Sequence, residues 1–198
     1  KRLNLPVINS QWLTLPNRWE LTVTVPTVPV YELYDLEISA GGGISDITAN
    51  AIQVIPSRKN NYYFIHITDA HTPNRLYYPN AGFDTDSTAV DDFRAVMEDI
   101  NIIHPEFVLF TGDLVNEGEL EGFANQYWYG WIQKLLTEFD VPVYVTSGNH
   151  DIGGWNQTPP PAGSARKNWW KYFGWSWLDN EDPLFPYHTQ DYYFTYNN

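Results

Sequence analysis

The stretch FVLFTGDLVNEGELEG, residues 107–122, passes from four apolar residues almost directly into Gly112 and Asp113. A short apolar run that ends at a glycine is typical of a buried strand in a parallel sheet. Asp113 is therefore predicted to lie at the carboxyl end of a strand. The glutamates within residues 117–121 are predicted to lie in the first turn of a helix, where their charge favours the helix dipole.

Outward from this stretch, the chain alternates between strand and helix patterns. Residues 62–68 and 141–146 are apolar and β-branched, as in buried strands. Apolar residues recur at helical spacing over residues 89–103, and residues 119–139 are predicted to form a second helix rich in aromatics. The candidate N-caps of the first helix are Asp86 and Ser87. The order strand, helix, strand, helix, strand predicts a parallel α/β sheet.

Each predicted strand is followed by residues that carry metal or acid-base chemistry. They are Asp69 and His71, then Asp113, then Asn149, His150 and Asp151. The carboxyl ends of parallel strands share one edge of a sheet, so these groups are predicted to converge. Oxygen and imidazole donors suit Mn, Fe or Zn. A bridging carboxylate can hold two such cations about 3.5 to 4 Å apart, an arrangement that promotes phosphoryl displacement.

The motifs DAH, GDLVNEGE and GNHD, each placed after a predicted strand and in this order, resemble those of the calcineurin-like metallophosphoesterase family. The resemblance covers residues 60–198. It implies an α/β sandwich, present here in part as the N-terminal half of the catalytic domain. It also implies a metal-dependent hydrolase that acts on phosphate monoesters or diesters.

The resemblance assigns metal ligands residue by residue. It implies that Asp69 and His71 bind a first cation and that Asp113 bridges to a second. Asn149 would bind the second cation. The expected cofactor is thus a pair of divalent ions, Mn, Fe or Zn.

The same resemblance implies catalytic roles for His150 and Asp151. His150 would face the substrate and stabilise the transferred phosphoryl group or protonate the leaving oxygen. Asp151 would orient the ring of His150, as general acid catalysis requires.

The chain departs from the family pattern after GNHD. The family supplies three more histidine ligands downstream, yet only His188 follows His150. Three interpretations stay open: a continuation beyond Asn198 supplies them, a second fragment completes the site, or the chain is a degenerate member. A degenerate member would act as a binding module for a sugar or a protein partner.

Residues 1–59 have a different residue pattern from the rest of the chain and are predicted to form a small β-rich segment. Strands are predicted over residues 18–25, 31–38 and 51–55, and Gly41 to Gly43 lie between the last two. A further strand is predicted over residues 192–196. Exported members of the family carry a similar leading segment, which implies an extracytoplasmic or secreted protein.

Charge and composition restrict the kinds of partner and metal site that this protein is expected to have. The formal charge of −13 argues against a nucleic-acid partner, because binding to nucleic acid relies on Lys and Arg. A nuclease related to the DNA-repair exonucleases shares the motifs and remains an alternative to the small phosphate ester. The chain has no cysteine, so thiolate metal sites are excluded. No apolar run approaches the ~18 residues of a membrane-spanning helix, which predicts a soluble protein.

Overall fold

A computed structural model describes residues 2–14, 18–72, 88–116 and 123–152, residues 169, 172 and 173, and residues 194–197. Statements about structure below concern these residues. The elements in chain order are β1 Val7–Leu13, β2 Arg18–Val23, β3 Leu33–Ala40, β4 Ile44–Gln53, β5 Ile65–Ile67, α1 Thr88–Ile103, β6 Val108–Thr111, α2 Phe123–Leu136, β7 Val143–Thr146 and α3 Asn149–Ile152. The mixed α/β architecture confirms the predicted fold class.

The centre of the fold is a three-stranded parallel sheet in the order β5-β6-β7. Ile65 pairs with Val108, which in turn pairs with Val143, so the three strands are in step. Their carboxyl ends lie along one edge of the sheet, as the alternation of strand and helix predicts.

Helices α1 and α2 cover one face of this sheet. The core there is made of Phe93, Met97 and Ile100 from α1, Tyr129, Ile132 and Leu135 from α2, and Val108 and Phe110 from β6. The apolar residues of α1 repeat at a spacing of three and four, which places them on the face that meets the sheet. The candidate N-caps Asp86 and Ser87 lie outside the described residues.

The opposite face of the sheet is covered unevenly. Phe194 stacks on Tyr144 with ring centroids 4.3 Å apart, and Phe107 is buried beneath Phe194 and Tyr196. Residues 194–197 adopt no strand, in contrast to the predicted strand over 192–196, whose first two residues lie outside the described residues.

Residues 62–68 were predicted to form a buried strand, and within the described residues this prediction is wrong for one face of β5. His66 is exposed, and its Nε2 lies 2.5 Å from Oγ1 of Thr111. The alternation of the pleat places His66 on the face opposite the helices. The apolar neighbours of His66 in sequence do not reveal which face is covered.

The first 59 residues contribute two antiparallel hairpins, β1-β2 and β3-β4. The predicted strands match β2 and β3 and the end of β4, whereas β1 and the first half of β4 were not predicted. Both strands lack a buried side of alternating apolar residues, so the period-two signal is weak. Gly42 and Gly43 adopt positive φ at the turn of the second hairpin.

Asn50 connects the second hairpin to the rest of the molecule. Its side-chain amide donates to the carbonyls of Thr137 (2.9 Å) and Phe139 (3.1 Å), just after α2. Its backbone N–H donates to Asp35 at 3.0 Å, so the hairpin and the end of α2 are tied through one residue. The boundary at residue 59 stays a prediction.

At the edge of the sheet remote from the strand carboxyl ends, Glu106 is buried and carries two partners. Nζ of Lys59 lies 2.5 Å from Oε2 of Glu106, and the hydroxyl of Tyr196 donates to Oε1. Burial alone would raise the pKa of Glu106, but the hydrogen bonds from Lys59 and Tyr196 outweigh it and the pKa is lowered. The carboxylate is therefore charged in the folded protein at neutral pH.

We expect Glu106→Gln to lower the free energy of unfolding by about 2 kcal/mol at neutral pH, the size of a charged hydrogen bond. A lowered pKa in the folded state contributes stability above the ordinary glutamate value of 4.5, and this contribution is lost as the pH falls through the folded value. The difference between the two proteins should therefore shrink in acid. Urea denaturation at neutral pH and at about pH 3 measures it, and a difference that is constant across pH would contradict the assignment.

None of the described helices combines the length and the apolar character that crossing a bilayer would require.

Candidate metal centre

The loops that follow β5, β6 and β7 meet at one edge of the sheet. The N–H of Asp69 donates to the carbonyl of Gly112 at 3.2 Å, and the N–H of His71 donates to that of Asp113 at 2.9 Å. These bonds continue the strand pairing beyond β5 and β6, so the two loops run side by side. The predicted convergence of the polar clusters is therefore present in the structure for these loops.

Three of the predicted ligands adopt a left-handed backbone conformation. The φ angles are +57° for Asp69, +44° for His71 and +51° for Asp113. Such angles are uncommon outside glycine, and they persist where surrounding contacts fix the backbone, often at functional sites. The conformation turns each side chain out of the strand direction at the sheet edge.

Two glycines allow the loops after β6 and β7 to approach each other. A Cβ on Gly112, whose φ is +86°, would lie 2.9 Å from the Cα of Gly148. A Cβ on Gly148 would lie 2.2 Å from Oδ1 of Asp113. Both distances are too short for any side chain, so only glycine permits this packing.

The imidazole of His71 lies close to the carboxylates of both Asp69 and Asp113. Nε2 of His71 is 3.4 Å from Oδ1 of Asp69 and 3.6 Å from Oδ2 of Asp113. Donor atoms around a cation with bonds of about 2.1 Å lie roughly 3.0 to 3.4 Å apart, close to these values. His71 therefore lies near both predicted carboxylate ligands, whereas Asp69 is not part of the group of three donors that lie within 4.8 Å of one another.

His150 joins this group. One ligand atom from each of His71, Asp113 and His150 falls within 4.8 Å of the others, and the two imidazole rings are 4.6 Å apart, edge to face. The N–H of His150 donates to Oδ1 of Asp113 at 2.8 Å. The sequence predicted His150 as the residue facing the substrate, and the structure places it beside the candidate ligands.

The residue beside the ring of His150 is Asn116. Nδ1 of His150 lies 3.1 Å from the carbonyl oxygen of Asn116, which accepts a hydrogen bond from a protonated Nδ1. The orienting role was predicted for Asp151, but the structure gives this contact to a backbone carbonyl. Because a backbone carbonyl makes this contact, the residue type at position 116 does not predict it.

Asp151 is fully buried, and its carboxylate faces backbone N–H groups. Val115 donates to Oδ1 at 3.0 Å, while Leu114 and Gly148 donate to Oδ2 at 3.3 and 2.8 Å. Burial raises the pKa of Asp151 to about 7, although the three N–H groups favour the charged form. The carboxylate links the loops after β6 and β7.

The state of Asp69 suits a metal ligand. The hydroxyl of Thr68 donates to Oδ2 of Asp69 at 2.5 Å, and this bond, followed by the nearby imidazole of His71, lowers the pKa of Asp69. A lowered pKa keeps the carboxylate charged, which metal binding requires. Thr68 was not predicted as part of the site, although it immediately precedes the DAH motif.

The remaining predicted ligand, Asn149, is the first residue of α3 and is exposed. It follows Gly148 directly and so lies at the same sheet edge as the other ligands. His188, the one histidine after His150, lies outside the described residues.

The residues present fit a divalent cation. Within the described chain, Nδ1 of His71 is buried without a hydrogen-bond partner. The carboxylates of Asp69 and Asp113 face the other ring nitrogen, Nε2, so Nε2 and not Nδ1 is the atom of His71 that would share a cation with them. Carboxylates and imidazoles together are the donor set that suits Mn, Fe and Zn.

Comparisons with known proteins agree with this chemistry. The chain is 29% identical over 104 residues to the DNA double-strand break repair protein Mre11 of Methanococcus maripaludis, which is 52% of this chain and 27% of that protein. It is 27% identical over 100 residues to a probable cyclic nucleotide phosphodiesterase of Moraxella catarrhalis, which is 50% of this chain and 31% of that protein. The Mre11 of Methanocaldococcus jannaschii is 32% identical over 89 residues, 45% of this chain and 23% of that protein.

These matches span only about a quarter to a third of the length of the curated relatives. The profile of the calcineurin-like phosphoesterases, by contrast, matches residues 62–198, which is more than half of the chain. Members of this family normally bind divalent metals. The chain belongs to the calcineurin-like phosphoesterase family.

Proposed function

We propose that this protein is a metal-dependent phosphoesterase that hydrolyses phosphate mono- or diesters at a dinuclear centre of Mn, Fe or Zn. The observation that supports this most is the convergence of His71, Asp113 and His150 within 4.8 Å from three separate loops. A structural role for these loops would not require two imidazoles beside a buried carboxylate. The family match supports hydrolysis of phosphate esters in general.

In the proposed mechanism, Asp69, His71 and Asp113 would hold the first cation. Asp113 and Asn149 would supply ligands to the second, together with ligands from further chain. When bound, such a pair of cations lowers the pKa of a water and stabilises the charge of the transferred phosphoryl group. The continuation of the chain, or a second fragment, is part of this proposal.

His150 is proposed to give a proton to the leaving oxygen. Its Nδ1 faces the carbonyl of Asn116 at 3.1 Å, and Nε2 is the ring nitrogen proposed to give the proton. Because one nitrogen is fixed, the ring has a defined orientation, as proton transfer in a transition state requires.

We expect His150→Gln to lower kcat by about 10² to 10⁴. The loss should be larger for an alkyl phosphate ester than for a p-nitrophenyl ester, because p-nitrophenolate leaves without protonation. Affinity for Mn²⁺, measured by calorimetric titration, should change little. If the variant instead loses Mn²⁺ while both esters are affected equally, His150 is a metal ligand and not the acid.

The name of one relative supplies the argument for a substrate class. One is named as a phosphodiesterase, which favours a diester over a monoester. The test is turnover of bis(p-nitrophenyl) phosphate and p-nitrophenyl phosphate with added Mn²⁺. Turnover of either supports the enzyme, and turnover of neither by a full-length protein favours the catalytically incomplete binding module.

A nuclease is the second candidate, because two of the relatives are DNA repair proteins. The formal charge of −13 opposes it, since nucleic acid binding draws on basic residues. Cleavage of single-stranded DNA at a rate above that of bis(p-nitrophenyl) phosphate would favour the nuclease.

An extracytoplasmic location remains a proposal and is tested by fractionation of the source cells.

A further inference from the structure

The carboxylate of Asp151 lies between two loops that each carry a candidate ligand. Leu114 and Val115 follow Asp113 in the loop after β6, and both donate their backbone N–H to Asp151. Gly148, in the loop after β7, does the same at 2.8 Å. Asp151 itself is one residue beyond His150, so its position is coupled to the second loop.

The loop after β6 is held from both sides at Leu114. On one side, the carbonyl of Leu114 accepts the N–H and the hydroxyl of Thr72, at 3.0 and 2.7 Å, so backbone pairing joins it to the loop after β5. On the other side, its N–H donates to the carboxylate of Asp151. The loop after β6 is thus joined to the loop after β7 by the side chain of Asp151, whereas backbone pairing joins it to the loop after β5.

We propose that Asp151 is a positioning residue that fixes Asp113 against His150 by clamping the loops after β6 and β7 through their backbone N–H groups. It acts on the cation site and does not touch the substrate. This inference rests on the proposed function, because the clamped residues are the candidate ligands.

A carboxylate is the side chain that suits this position. Its two oxygens accept from three N–H donors, whereas the amide of asparagine would direct an NH₂ group at one of those donors. Burying a carboxylate is costly unless it is well hydrogen-bonded, and the charge of Asp113 adds to that cost. A neutral residue would avoid both costs, so the carboxylate at this position is explained by the three bonds that it accepts.

The test compares Asp151→Asn with Glu106→Gln. Both replace a buried carboxylate by its amide, but Glu106 lies at the opposite edge of the sheet. We expect Asp151→Asn to weaken Mn²⁺ binding by about 10- to 100-fold, as for residues that orient ligands. Glu106→Gln should bind Mn²⁺ like the wild type, although it too is destabilised. Equal Mn²⁺ affinities for the two variants would overturn the proposal.

Amide hydrogen exchange of the metal-free protein provides a second measurement that needs no turnover. The N–H groups of Val115 and Gly148 should exchange slowly in the wild type and in Glu106→Gln, and fast in Asp151→Asn. If Asp151→Asn does not fold, the wild type alone decides, since fast exchange at both amides would refute the clamp. A protein that shows the clamp but no ester hydrolysis would refute the proposed function and leave the clamp standing.

Discussion

Replacing Gly148 by alanine is expected to destabilise the fold by about 3 kcal/mol and to abolish tight metal binding. The added Cβ would lie 2.2 Å from Oδ1 of Asp113 and 2.5 Å from its backbone nitrogen. A flexible side chain can move away from such a clash, but a backbone nitrogen cannot move without its loop. The loop after β6 must therefore shift away from the loop after β7, and the carboxylate of Asp113 leaves the cluster.

Gly130 in α2 offers a matched glycine control. A Cβ there would meet Cε1 of Tyr172 at 3.4 Å, an ordinary contact with a side chain, and alanine is favoured over glycine within a helix by about 1 kcal/mol. Gly130→Ala should thus be as stable as the wild type or slightly more so, with unchanged Mn²⁺ affinity. Chemical denaturation and calorimetric titration measure both effects. Wild-type stability for Gly148→Ala would mean that the two loops are further apart in solution.

The arrangement of the sheet is predictable because each strand leaves a local signature. The apolar run of residues 107–110 is interrupted by Gly112 and Asp113, and the equivalent change occurs at Asp69 and at Asn149. Parallel strands joined by helices place all their carboxyl ends on one edge. Three separate motifs therefore predict one site without any knowledge of tertiary contacts.

The detailed contacts within the site are less predictable, because many of them involve the backbone. The partner of the ring of His150 is the carbonyl of Asn116, and every residue has a carbonyl. The three donors to Asp151 are likewise backbone N–H groups, which leave no trace in side-chain identity. Sequence reasoning can name Asp151 as part of the site but cannot tell which neighbour it contacts.

Strand β4 shows a second reason why the sequence does not predict every element of the fold. Ile44 and Ile47 in β4 are exposed, so their apolar character does not mark a buried face. Pairing with β3, which runs from Leu33–Gln53 to Ala40–Ile44, is what defines the strand. A two-stranded ribbon with both faces open lacks the alternation that identifies strands in sequence.

The substitution Asp113→Asn is expected to abolish most of the activity while the fold keeps its stability. Oδ1 of Asp113 accepts the N–H of His150 at 2.8 Å, and the amide oxygen of asparagine can accept the same bond. The second oxygen, 3.6 Å from Nε2 of His71, would be replaced by an uncharged NH₂ group. The metal-free fold should be retained or stabilised by up to about 1 kcal/mol, because a carboxylate near Asp151 is removed.

The activity of Asp113→Asn should nevertheless fall by about a thousandfold or more, since loss of the bridging charge removes several kcal/mol of transition-state stabilisation. Mn²⁺ binding should be lost in parallel. The control is Asp99→Asn on the exposed side of α1, which removes an equal charge far from the strand carboxyl ends and should change stability by less than about 0.5 kcal/mol. If Asp113→Asn unfolds like a core variant while retaining Mn²⁺ affinity, Asp113 is a structural carboxylate and the bridging role is excluded.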